Sequence, residues 1–154
     1  MSLKNNKAII VTGTPGTGKT TFAKKLTRKE KLKIIDVTKF IKTEKLSQGY
    51  DVEKQCEIID ELILKKKLIE QIKKNESTSS KKLIIDSHMS QILPKKYVEK
   101  CYVTKCNLKE LKKRLKTRKY SKEKIKENLD CEIFDICLTE AQEKKYEIEI
   151  IHTD

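Results

Sequence analysis

Gly13-Thr14-Pro15-Gly16-Thr17-Gly18-Lys19-Thr20 fits G-x-x-x-x-G-K-[ST], a glycine-rich turn whose backbone N–H groups cradle phosphate oxygens. The flanks suit the pattern. Ala8-Ile9-Ile10-Val11 is a short apolar run, fit for a buried parallel strand. Thr21-Phe22-Ala23-Lys24-Lys25-Leu26 has helical character, so the turn joins a strand to a helix start. There the helix adds partial positive charge. Lys19 can then reach β- and γ-phosphates, and Thr20 can offer its hydroxyl to Mg²⁺.

The rest of the chain is read outward from that turn. At 154 residues it is expected to form one domain, residues 1–154, burying roughly 70% of its unfolded surface. Charged residues make up 38% of it, but periodic apolar segments run throughout, which argues against disorder. No apolar run nears the ~20 residues of a membrane span, and no signal-peptide pattern opens the chain. A soluble cytoplasmic protein without membrane partners is expected, or a nuclear one in a eukaryote. The net charge of +13 points to nucleic-acid, ribosomal or polyphosphate partners. However, only Arg28, Arg114 and Arg118 among 36 basic residues are arginine. That lysine excess reads equally well as a compositional bias spread over solvated faces. The five cysteines, at 56, 101, 106, 131 and 137, form no C-x-x-C. They suit reduced thiols, mostly in the core, rather than a Cys/His metal site.

Strands are expected at Lys7–Thr12, Leu32–Asp36, Leu83–Asp86, Tyr97–Thr104 and Tyr146–Ile151. Helices are expected up to Glu30, over Thr38–Leu46, over Cys56–Lys74 and from Asn107 to Arg118. A further helix starts after Ser121, with Ile125, Leu129, Ile133, Ile136 and Cys137 inward. Residues 47–50 read as a turn and 75–80 as a polar loop. The alternation predicts an α/β three-layer fold, about five parallel strands flanked by helices.

Asp86 ends the third of these strands, where an open parallel sheet binds its ligands. An acid there can hold Mg²⁺ or its water shell. His88 could order a water or a phosphate oxygen. Arg114 and Arg118 fall one helical turn apart. In so lysine-rich a chain, arginine suggests a planar, bidentate phosphate grip. Residues 117–122 then read as a flap over a triphosphate. A GTPase is disfavoured: Asp86-Ser87-His88-Met89 lacks the glycine of D-x-x-G. Thr104-Lys105-Cys106-Asn107 likewise lacks the final acid of [NT]-K-x-D. A nucleoside-monophosphate kinase fits better.

Four further motifs accompany the Gly13–Thr20 turn. They are Gly49-Tyr50-Asp51, Asp86-x-His88, Arg114-Leu115-x-Thr117-Arg118-x-Tyr120 and Glu127-Asn128-Leu129-Asp130-Cys131-Glu132-Ile133. Together they resemble the adenylate kinase isoenzyme six family, also called the coilin-interacting nuclear ATPase family, over nearly the whole chain. The resemblance implies a P-loop NTPase fold with a short monophosphate-binding segment, about residues 36–59, and a short lid, about 117–127. It implies Mg²⁺-dependent conversion of ATP and AMP to two ADP, some tolerance for other monophosphates, and ATPase activity. It further implies a role in small-ribosomal-subunit maturation with a ribosomal protein and pre-ribosomal RNA. By motif match Gly13, Gly16, Thr17, Gly18, Lys19, Thr20, Thr21 and Arg118 bind ATP. Lys19, Asp86, His88, Arg114 and Arg118 are the catalytic candidates. Thr20 and Asp86 are matched to Mg²⁺, partly through water. Asp36, Lys42 and Asp51 are the monophosphate candidates, Lys42 standing where many relatives carry arginine. Lys119 replaces a frequent lid glycine.

Overall fold

The computed structural model describes residues 7–78 and 81–154. Five parallel strands form one sheet: β1 (Ala8–Gly13), β2 (Leu32–Asp36), β5 (Lys82–Asp86), β6 (Val98–Lys105) and β7 (Ile148–His152), in the order β2-β5-β1-β6-β7. The central position of β1 follows from its sequence, since all six of its residues are buried. Strand alternation sends Ala8 and Ile10 to one face, and Ile9 and Val11 to the other. On the first face they meet Val37 and Ile41 of α2 (Val37–Thr43), Leu64, Leu68 and Ile72 of α3 (Glu61–Thr78), and Ala141 of α6 (Ile136–Glu143). On the second they meet Phe22, Ala23 and Leu26 of α1 (Lys19–Lys29). The three-layer α/β expectation therefore holds. The sheet register sets Val11 beside Asp86 and Asp36 beside Asp86, so the carboxyl ends of β1, β2 and β5 converge. A smaller core of Cys106, Leu111 and Leu115 ties α4 (Leu108–Thr117) to Ile125 and Leu129 of α5 (Lys122–Ile133).

Four local readings change. The expected turn at 47–50 and the first residues of the expected Cys56 helix instead form a hairpin, β3 (Ser47–Asp51) with β4 (Cys56–Ile59). The true helix start is capped by Asp60, whose Oδ1 accepts from the backbone N–H groups of Leu62 and Ile63. Its buried stripe is Leu64, Leu68 and Ile72, while Leu62 and Ile63 face solvent. Helix α3 also runs through the expected polar loop as far as Thr78, with Ser77 and Thr78 bonding back to the Lys74 carbonyl. The loop's last two residues lie outside the described ones. Finally, the helix expected after Ser121 is two helices, broken at Asp135 (φ 50°). Asp tolerates this left-handed backbone. The break leaves Ile133 and Ile136 exposed and buries Cys137 and Ala141.

Lys119, between α4 and α5, also adopts positive φ, 58°. Exchange for glycine relieves a strained side-chain-bearing residue at some entropic cost. Lys119→Gly is therefore expected to stabilise the fold by up to about 1 kcal/mol, read as a higher urea midpoint. A lower midpoint would show that the lysine side chain, not its backbone, matters there.

Candidate active site

Strand β1 delivers the chain into the loop at Gly13, whose φ is +151°. A Cβ there would stand 2.3 Å from Thr104 Oγ1 and 2.7 Å from the Thr104 carbonyl, so no larger residue fits. The loop ends at Gly18 (φ 89°), which caps α1 without a side-chain acceptor. The first N–H groups of α1 are thus free of a side-chain cap at the cleft.

A buried polar network holds the loop from behind. Thr17 donates to the Thr14 carbonyl through its backbone N–H (3.1 Å) and its hydroxyl (2.6 Å). Its hydroxyl also meets that of Thr104 at 2.7 Å. Thr14 donates its hydroxyl to Glu132 Oε1 at 3.2 Å. The other Glu132 oxygen accepts from the Cys106 N–H at 2.9 Å, and Lys105 pairs with both Glu132 and Asp135. Glu132 is buried, and removing its carboxylate strands the Cys106 N–H and leaves the Thr14 hydroxyl only the weak acceptor Cys131 Sγ, at 3.5 Å. Glu132→Ala is expected to cost about 3 kcal/mol, at roughly 1–3 per unsatisfied buried group, measured by urea unfolding. A loss under about 1 kcal/mol would mean that the loop does not lean on this carboxylate.

In front of the loop lies a cleft of about 660 Å³ at the carboxyl ends of the strands. It brings together Gly16, Gly18, Lys19, Thr20, Thr21, Asp36, Asp86, His88 and Arg118. Lys19 Nζ donates to the carbonyls of Gly13 (2.9 Å) and Thr14 (3.3 Å). Burial and, more weakly, the Arg118 charge lower its pKa to about 8, against the pull of Cys137 and Asp86. Thr20 donates its hydroxyl to Asp86 Oδ2 at 2.7 Å. Asp86 is buried, and that burial, with the neighbouring Asp36 charge, raises its pKa despite the Thr20 hydroxyl and Lys19. His88 presents an open face to the cleft. The protein mass around it, then Lys19 and Lys124, lower its pKa to about 4, so it is neutral at pH 7.

Other predicted residues stand elsewhere. Thr17 turns its side chain into the supporting network. Arg114 does not line the cleft. Its guanidinium donates to the Gly16 carbonyl (3.3 Å), to Thr153 Oγ1 (3.1 Å) and to the Thr153 carbonyl (2.6 Å), while Nε meets Glu110. Lys42 is exposed on α2 and lies outside the cleft lining. Asp51 accepts from the Lys54 N–H at 3.0 Å and shapes the hairpin turn. That turn carries Lys54 into the cleft, a residue that sequence reading missed because it assigned no hairpin there. The hairpin tip also reaches across to the start of α5. Gln55 Oε1 accepts from the Ser121 N–H at 2.7 Å, and the Gln55 carbonyl accepts from Lys124 Nζ at 2.5 Å. Glu132 and Asn128 were missed as well. Asn128 lines the cleft with its Nδ2 unpartnered among the described residues. Both belong to the quoted Glu127–Ile133 motif, but only packing shows which of its residues face inward. A second cavity, of about 770 Å³, opens off the cleft and shares His88, Gln91 and Glu140 with it.

A family model described as "AAA domain" matches residues 9–135. A Methanocaldococcus jannaschii protein named "Putative adenylate kinase" is 38% identical over 146 residues, spanning 95% of this chain and 78% of that protein. Proteins named "Adenylate kinase isoenzyme 6 homolog" from Caenorhabditis elegans and Dictyostelium discoideum are each 34% identical. The first match spans 94% of this chain and 76% of the relative, the second 98% and 83%.

Proposed function

Because this chain belongs to the adenylate kinase isoenzyme 6 family, we propose that it is a Mg²⁺-dependent kinase that transfers the γ-phosphoryl group of ATP to AMP, yielding two ADP. The observation that carries this reading is the convergence of Lys19, the Thr20–Asp86 pair and Arg118 on one cleft.

The donor triphosphate lies in the Gly13–Thr20 loop, against its backbone N–H groups and the start of α1. Lys19 leaves the loop carbonyls for the β- and γ-oxygens, which restores the full charge that burial opposes. Arg118 approaches the same phosphates from the turn between α4 and α5. Arg114 holds that turn's helix to the Gly16 carbonyl and so acts as a positioning residue. A hydroxyl and a carboxylate 2.7 Å apart make a hard-oxygen pair that fits Mg²⁺, which takes few protein ligands and keeps water and phosphate for the rest. Thr20 and Asp86 would hold the ion, Asp86 partly through water. When bound, the ion neutralises charge on the transferring phosphoryl group. Lys54 takes the place assigned to Lys42, facing the acceptor's phosphate beside Asp36, with the adjoining cavity receiving the acceptor's nucleoside. No side chain acts as base. Catalysis comes from positioning and charge stabilisation, and the Gln55–Ser121 bridge helps exclude water once the cleft is filled.

A coupled assay with ATP and AMP tests the proposal. ADP formation must exceed that of a Lys19→Ala control, and equality with the control would end it. A second reading is a ribosome-assembly ATPase, for which a neutral His88 beside Lys19 could order the attacking water. Loss of ATP hydrolysis with kinase activity retained in His88→Ala supports that second activity. Capture of a small-subunit ribosomal protein from cell extract supports the assembly role.

A further inference from the structure

Thr153 follows β7 and touches the phosphate loop without lining the cleft. Its backbone N–H donates to the Lys105 carbonyl at 2.9 Å, just past the last paired residues of β6 and β7, Lys105 and His152. The sheet therefore fixes where its side chain stands. The Thr153 hydroxyl accepts from Arg114 Nη1 at 3.1 Å and donates to the Thr17 carbonyl at 2.6 Å. The Lys105 carbonyl, at 3.3 Å, is the more distant acceptor for the same proton. Arg114 Nη2 donates to the Thr153 carbonyl at 2.6 Å, so both Nη atoms grip this residue. Thr153 also packs on Gly18, where a Cβ would lie 3.5 Å from the Thr153 Cβ and Cγ2. A planar trans peptide turns this hold into a direction. The Thr17 carbonyl and the Gly18 N–H share one plane and point opposite ways. With the carbonyl bound to Thr153, the N–H points away from Thr153. It has no protein acceptor among the described residues, and Gly18 lines the cleft. The preceding N–H, that of Thr17, is instead taken up by the Thr14 carbonyl.

We propose that Thr153 is a positioning residue for the donor nucleotide: its hydroxyl relays the Arg114 charge to the Thr17 carbonyl and so aims the Gly18 N–H at a phosphate oxygen. The aim at phosphate rests on the cleft being the nucleotide site proposed above. The relay itself does not. A cationic donor polarises the hydroxyl that it bonds, and the hydroxyl then donates more strongly in turn. A carbonyl that accepts such a bond draws electron density from its own amide nitrogen by peptide resonance. The Gly18 N–H thereby becomes a better donor to an anionic oxygen. The acceptor nucleotide gains nothing from this chain of contacts. The relay ends in the loop, and neither Lys54 nor Asp36, the residues placed at the acceptor, belongs to it.

The test uses the full chain, isotopically labelled at nitrogen, as wild type, Thr153→Ser and Thr153→Ala. Serine keeps the hydroxyl and alanine removes it. In the nucleotide-free protein the Gly18 amide nitrogen reports the hydrogen bond at the carbonyl of its own peptide. Its NMR resonance should move upfield in Thr153→Ala and stay in place in Thr153→Ser. By calorimetry, Thr153→Ala should bind MgATP about tenfold more weakly, the scale of one hydrogen bond to a charged group. The KM for AMP should not change, and Thr153→Ser should match wild type for both nucleotides. MgATP should shift the Gly18 amide proton downfield in wild type and by less in Thr153→Ala. Arg114→Met removes the polarising donor and should move the Gly18 nitrogen the same way, so the relay can still fail if Thr153→Ala does not fold. A Gly18 nitrogen unmoved by loss of the hydroxyl overturns the relay. Equal weakening of MgATP and AMP, or equal loss in serine and alanine variants, makes Thr153 structural and overturns the positioning role. Failure of MgATP to bind the wild type instead sinks the kinase reading, and the nucleotide-free nitrogen resonance still decides the relay.

Discussion

Lys19→Ala is expected to lower kcat/KM for ADP formation by about 10²–10³-fold, the loss typical when one preorganised charge-stabilising donor is removed. The fold should survive. Lys19 is held at a lowered pKa by burial, so its charge is a burden on the folded state rather than a support. The folded pKa, about 8, lies below the unfolded 10.5. Between those values the unfolded chain binds the proton and the folded one does not, so stability rises with pH across that window. Lys19→Ala should remove this rise while leaving the thermal midpoint at pH 7 unchanged or higher. The wild-type rate should show the reciprocal behaviour. Its kcat/KM should fall as pH passes about 8, where the free enzyme's Lys19 loses its proton. With both nucleotides bound, phosphate charge raises that pKa, so kcat should hold to higher pH. A variant that keeps wild-type turnover, or a kcat/KM flat through this range, would remove Lys19 from the chemistry.

Asp86→Asn is expected to reduce turnover by about 10²-fold or more, a loss on the scale of one removed electrostatic stabiliser, and to leave the protein at least as stable as wild type. The amide oxygen still accepts from Thr20, and the buried charge disappears. Burial and the adjacent Asp36 raise the Asp86 pKa above its ordinary 3.8. An acid with a raised folded pKa favours folding below its unfolded value, and that contribution is lost as pH rises through the folded one. The wild-type thermal midpoint should therefore decline over that interval, and the decline should shrink in Asp86→Asn. Scanning calorimetry across the acid range, paired with the ADP assay, measures both. A variant both less stable and fully active would invert the assignment, making Asp86 structural.

Much of this site was legible before any fold was known, and for local reasons. The loop's residue types and spacing encode its backbone shape directly. Asp86 at the end of an apolar run is a strand terminus whatever surrounds it. The misreadings have a common origin. Cys56, Ile58, Ile59, Leu62 and Ile63 satisfy a helical period and a hairpin-plus-helix period alike. The helix at Glu61 is decided by the Asp60 cap and by which apolar residues find the sheet. Lys42 and Lys54 are both lysines near the expected acceptor segment, and only the hairpin turn brings Lys54 to the cleft.

By itself, then, the order of residues determined the phosphate loop, the parallel sheet and the placing of Lys19 and Thr20 at a helix start and of Asp86 at a strand end. These depend on neighbours within one strand-turn-helix unit. Tertiary structure alone decided that Arg114 braces Gly16 and Thr153, that Glu132 supports Thr14 from 118 residues away, and that Cys131 and Cys137 share a wall with Lys19. Each of those depends on where the chain returns after a crossover, and that is set by the burial of whole faces rather than by any residue's near neighbours.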